Sequence, residues 1–241
     1  MNSLELVIFL LGVAYTIVWS ASFYFQLFLN IKLKSSEGYS LDFQWMNLFG
    51  FSYLTASNIH YLLENDASWT SIIDLFFAVH ALVISIILYM QTFCYPRGVN
   101  RGKDSSYLMI AVIVIMSVIF YLINTGIQKH NASDLWIFMG LSKSLMSTFK
   151  YTYQIFLNKD RKSTFGFSVE NVILDFAGGF LSFVQFFLQL WNDNDSIYSN
   201  KANLPKFALS CVVMFFDIIL LFQHFVLYRN RRSQDPETLM S

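Results

Sequence analysis

A chain of 241 residues that is 55% hydrophobic, 18% aromatic and only 13% charged lacks the roughly one-quarter charged content of a soluble domain. Its net charge of zero creates no long-range field toward nucleic acid. Two cysteines, Cys94 and Cys211, make no disulfide framework, no Cys/His pair has metal-ligand spacing, and no nucleophile–base pair is evident, so neither an enzyme nor a cofactor is expected.

Seven apolar segments reach the about 20 residues that a helix needs to cross a bilayer. They lie near 4–29, 43–63, 71–93, 107–127, 135–157, 169–190 and 205–228, so the expected fold class is an all-α membrane protein. The first has the position of a secretory signal, but it is too long and has neither a basic start nor a small-residue cleavage site, so it reads as a span. The loop after it carries Lys32 and Lys34. Loop 94–106 carries Arg97, Arg101 and Lys103, loop 158–168 carries Lys159, Arg161 and Lys162, and the tail carries Arg229, Arg231 and Arg232. The alternate loops hold Glu64, Asp66, Asp193 and Asp195. Basic loops stay on the cytosolic side, so the N-terminus is expected in a lumen and the C-terminus in the cytosol. Two glycosylation sequons, at Asn131 and Asn194, fall in loops assigned to the lumen.

Displacing the chain by 128 residues lays "SFYFQLFLNIKLKSSEGYSLDF" over "KYTYQIFLNKDRKSTFGFSVEN" without a gap. Gln26 falls on Gln154, Asn30 on Asn158, Lys34 on Lys162, Gly38 on Gly166, Ser40 on Ser168 and Gly50 on Gly178. Each unit takes the end of one span through a basic loop into the next. Spans 1–3 (residues 1–93) and 5–7 (135–230) then form two three-helix bundles of the same orientation. Region 94–134, with span 4, links them, and 231–241 is a cytosolic tail. Parallel repeats of this kind build transporters whose substrate site lies between the repeats near mid-membrane. Ser40 and Ser168 read as helix caps and Gly38 and Gly166 as turn residues. Capping does not account for a Gln and an Asn four apart inside a span, twice.

Helical spacing gathers the remaining polar groups into stripes. Span 1 aligns Trp19, Phe23, Gln26 and Asn30; span 5 aligns Lys143, Ser147, Lys150, Gln154 and Asn158. Span 6 aligns Asn171 with Asp175, and span 7 aligns Lys206, Asp217 and His224. Intramembrane ionisable groups face cavities and pair with one another. The expected substrate contacts are Trp19, Phe23, Gln26, Asn47, Lys143, Lys150, Gln154, Asn158, Asn171 and Lys206. Other readings stand beside these: Asn171 as an interhelical hydrogen bonder, Lys206 as a side chain snorkelling to the interface, Asp74 as a solvated cap. His80 and His224 read as structural, Gly178 and Gly179 as close-packing positions.

Asp175 lies deep in span 6, where its repeat mate is Asn47, a neutral amide, so packing in that slot does not require charge. A buried carboxyl has its ionised form disfavoured and can take a proton from an acidic side and lose it to a neutral one. Asp175 is therefore the expected proton-coupling group, with Asp217 and Asp74 as the next candidates. A permanent Asp175–Lys150 ion pair is the alternative.

At these stretches, and at "DLFFAVHAL", "NVILDFAGG" and "PKFALSCVVMFFDIILLFQHFVLYR", the chain resembles the PQ-loop family, and within it the lysosomal cystine exporters. The resemblance runs from Trp19 to Arg229, with Phe25 and Tyr153 in place of the family's proline before each repeat glutamine. It implies a seven-helix 3+1+3 fold and proton-coupled export of L-cystine from a lysosome or vacuole, with the aspartate at position 175 implicated in coupling. The partners expected are cystine, protons and the lipid bilayer, plus sorting adaptors at the tail, where "DPETLM" (235–240) resembles an acidic dileucine signal. An exporter of another cationic or neutral amino acid, a sugar facilitator and a heptahelical sorting receptor are the alternatives.

Overall fold

In lipid every backbone N–H and C=O must be satisfied within the chain, and the seven apolar segments meet that demand as helices. The computed structural model describes residues 3–64, 69–98, 100–126, 133–193 and 204–229. Among these, the helices are α1 (Ser3–Leu33), α2 (Leu41–Glu64), α3 (Trp69–Cys94), α4 (Asp104–Gly126), α5 (Ser133–Arg161), α6 (Val169–Asn192) and α7 (Leu204–Phe222). α7 runs on as a π-helical turn over Gln223–Leu227. All seven expected spans are present, most of them a few residues longer than their apolar cores. No strand occurs among the described residues.

α1, α3, α4, α6 and α7 are long and apolar enough by themselves to cross a membrane. α2 and α5 are long enough but more polar, because they carry Asn47 and the lysine stripe. Those groups turn inward: Lys143 is 1% exposed and Lys150 4%. The outward faces are apolar, with Leu10, Phe28, Phe76, Leu122 and Phe215 exposed, as a lipid-facing surface requires.

Six helices close into a ring. α3 packs on both α1 and α2, α7 on both α5 and α6, and the ring is completed by α1 against α6 and α2 against α5. α4 stands outside, against α5 and the edge of α2, where Met46, Ile110, Ile113 and Met146 form a small separate core. The main core follows the ring interior and is rich in aromatics, among them Tyr15, Trp19, Phe43, Phe51, Phe77 and Tyr151. The result is the 3+1+3 arrangement expected from the repeat.

The two repeat loops have one geometry. Lys34 and Lys162 both adopt the left-handed conformation, with φ of 48° and 49°. The N–H groups of Ser35 and Ser163 reach back to the carbonyls of Asn30 and Asn158, closing each helix end in a Schellman-type cap. Ser40 and Ser168 cap the following helices, accepting from the N–H groups of Phe43 and Asn171 at 3.3 and 3.2 Å. The loops meet at Gly38 and Gly166. A methyl group on Gly38 would stand 2.3 Å from the Phe165 carbonyl oxygen, so close approach of two backbones requires this glycine. Gly166 needs its freedom for a φ of 82°. As repeat mates touching each other, they mark the pseudo-twofold axis of the ring.

Candidate functional site

Near the repeat loops the axis is closed by an exchange of amides. Gln26 of α1 accepts from the N–H of Ser168 at 2.8 Å and donates to the Gly166 carbonyl at 3.0 Å and to Asn30 at 2.8 Å. Gln154 of α5 does the same for the first loop, accepting from Ser40 N–H at 2.9 Å and donating to Gly38 and Asn158 at 2.9 Å each. Asn30 donates to Gln91 of α3, and Asn158 to Gln223 in the π-helical turn. Each bundle thus holds the loop of the other, and the polar atoms of Gln26, Gln154 and Asn158 are occupied in doing so. Asn100 adds a strap on the first loop only, accepting from Leu41 N–H and donating to the carbonyls of Ser36 and Tyr39.

The middle tier is ionisable. Lys143 and Lys150 both donate to one acceptor, Asn47 Oδ1, at 3.2 and 3.0 Å. Their ammonium groups also lie over aromatic faces, Lys143 at 3.6 Å from the Phe51 centroid and Lys150 at 4.4 Å from both Phe43 and Tyr151. Half-buried Asp175 is seven residues into α6, about 10 Å along the helix. Its Oδ2 accepts from the Tyr151 hydroxyl at 2.5 Å, and its backbone carbonyl accepts from Trp19 Nε1 at 2.9 Å. Trp19 stacks on Phe77 and occupies the space a Cβ on Gly178 would need, so this glycine packs a helix against the indole. Phe23 stands edge-on to Phe51. Asp217 is fully buried, and neither carboxyl oxygen has a hydrogen-bond partner among the described residues. Lys150 interacts electrostatically with both Asp175 and Asp217, yet no ion pair joins Lys150 to Asp175 among the described residues. Asn171 is buried, with its N–H on the Ser168 cap.

Toward the other end, Asp74 of α3 is ion-paired with Lys206 of α7 at 3.2 Å. It also accepts from the Tyr15 hydroxyl. Lys206 donates to Gln185 and lies over the Tyr15 ring. This is neither a solvated cap nor a snorkelling lysine. The two residues are 132 apart, the same offset as Gln91 and Gln223. They are therefore repeat mates, an acid and a base meeting on the axis.

The sequence reading missed Tyr15, Gln185 and Tyr151. Tyr15 continues the α1 stripe one turn beyond Trp19 and was legible there. The pairing of α3 with α7 was hidden because its offset exceeds the 128 of the loops by four residues. Asn131, Asn194 and the tail stretch 235–240 lie outside the described residues.

A profile of the PQ loop repeat matches residues 7–66 and 135–195. A "Cystinosin homolog" of Caenorhabditis briggsae is 35% identical over 239 residues, covering 93% of this chain and 58% of that protein. A "Cystinosin homolog" of Dictyostelium discoideum is 34% identical over 99% of this chain and 87% of its own. A "Cystine transporter" of Saccharomyces cerevisiae is 31% identical over 92% of this chain and 94% of its own. The chain spans about three-fifths of the length of the nematode relatives.

Proposed function

The chain belongs to the PQ-loop repeat family, a multi-pass membrane protein family, and from that premise we propose that it exports L-cystine, with protons, from an acidic lysosome or vacuole to the cytosol by alternating access. The single observation that carries this reading is the middle tier. Two buried ammonium groups share one neutral amide oxygen, with the carboxyls of Asp175 and Asp217 within electrostatic reach. A lining short of anionic partners for its lysines accepts carboxylates, and the facing acids accept ammonium groups. Cystine carries two of each. A lysine or arginine substrate would instead bring net positive charge against Lys143 and Lys150.

The substrate enters between the bundles, along the axis. The end carrying the Asp74–Lys206 pair faces the lumen, with the N-terminus, and the repeat loops face the cytosol. Parting of the Asp74–Lys206 pair admits cystine and a proton from the acidic side. Parting of the Gly38–Gly166 contact releases them. Asp175 takes the proton and carries it across, with Trp19, Phe23, Asn47 and Asn171 completing the lining. Asp217 assists release or balances Lys150.

The test is uptake of labelled cystine under an imposed pH gradient, with the protein at the cell surface and lysine, arginine and glucose as competitors. Cystine uptake that rises with external acidity, and that none of the three displaces, is the expected outcome. Binding of a luminal peptide without any uptake would favour a sorting receptor instead.

A further inference from the structure

We propose that Tyr151 is a positioning residue for the proton step, a spacer that keeps Asp175 from a permanent ion pair with Lys150 while its hydroxyl steadies the ionised carboxylate. This rests on the reading of Asp175 as the coupling group. The geometry is over-determined. The Tyr151 ring is 1% exposed. It stacks on Phe216 of α7 at 5.7 Å and 12°, and Phe43 of α2 meets it edge-on at 5.5 Å. Held in this way, the ring offers one face to the Lys150 ammonium and points its hydroxyl at Asp175 Oδ2. The cation spends itself on Asn47 and on aromatic faces, and the carboxylate receives a neutral donor.

That division suits a carboxyl that must be emptied and refilled in every cycle. An ammonium in direct contact would hold it ionised, and it would not take up the proton of an acidic lumen. A phenol favours the ionised form less strongly, because it gives one hydrogen bond without the full opposite charge that an ammonium in contact would add. The titratable groups facing Asp175 are Lys143, Lys150 and Tyr151 from α5, Asp217 from α7, and Tyr39 from the loop before α2. The Trp19 indole from α1 meets only its backbone carbonyl.

Two substitutions separate the two roles. Tyr151→Phe keeps the spacer and removes the donor. With that hydrogen bond lost, the half-maximal pH of the cystine-evoked proton current should move up by about one unit, a tenfold change in proton concentration. Tyr151→Leu removes the ring, and Lys150 can reach the carboxyl. The half-maximal pH should then move down by a similar amount. A residue that merely packs the interior would not move the profile in opposite directions. An unshifted profile in Tyr151→Phe, or a shift of the same sign in both variants, overturns the proposal. Tyr151→Phe alone decides if Tyr151→Leu does not fold. Asp175→Asn serves as the reference. If it keeps a wild-type current, the coupling role of Asp175 falls, and the Tyr151 proposal with it. If it loses the current while Tyr151→Phe keeps the wild-type profile, only the Tyr151 proposal falls.

Discussion

Asp175 shows how much one position reveals when it is compared with its repeat mate. The same slot holds Asn47 in one bundle and an acid in the other, and each is tied to α5, Asn47 by the two lysines and Asp175 by Tyr151. Asp175→Asn keeps shape and polarity but cannot carry a proton. It should abolish pH-driven accumulation of cystine and the accompanying proton current while sparing slow downhill exchange. Proton current of wild-type size in that variant would assign the coupling to another carboxyl, with Asp217 first in line. Helical spacing alone predicted that Lys143, Lys150, Gln154 and Asn158 share one face. It did not separate the pair of lysines that lines the middle tier from the pair of amides that seals the loops. That division follows from distance along the axis: the amides lie within reach of backbone groups at the loop ends, and the lysines do not.

At the scale of elements, the two loops and the helices that hold them act as interchangeable parts. Gln26 seals the second loop and Gln154 the first, so each bundle contributes to closing the end of the other. The seal depends on the Gly38–Gly166 approach, because a Cβ on Gly38 would fall inside the Phe165 carbonyl. Gly38→Ala should therefore leave the helices folded but hold the loops apart. The expected result is transport below roughly a tenth of wild type, since a steric clash between backbones has no flexible side chain to absorb it. A cysteine placed at Ser40, in a background with Cys94 and Cys211 replaced by serine, should react severalfold faster with a membrane-impermeant thiol reagent. Unchanged labelling would mean that the loops seal without this contact. The loop signature was readable in the chain, but as turn chemistry. That Gly38 is needed for close approach became visible only when the second loop was beside it.

For the whole molecule, closure at the other end falls to Asp74 and Lys206, repeat mates of opposite charge. Asp74→Lys or Lys206→Asp would bring like charges together on the axis, and either should reduce cystine uptake by roughly tenfold or more through an unpaired charge in a partly buried place. The double exchange restores the pair with its polarity reversed and should recover uptake to within about threefold. No recovery in the double variant would show that Asp74 acts through its own protonation, as the sequence reading allowed, rather than as half of a latch. The chain by itself determined the seven spans, because lipid imposes a length and an apolar character that composition reveals directly. It also determined the repeat, and the presence of a carboxyl too deep in α6 to be ornamental. Only the tertiary structure decided that the ring runs α1, α3, α2, α5, α7, α6, and with it which stripe faces which. Helical periodicity says what shares a side of one helix and is silent about its neighbour. So the pairing of Asp74 with Lys206, the amide exchange between bundles and the hydrogen bond from Tyr151 to Asp175 all had to come from long-range packing.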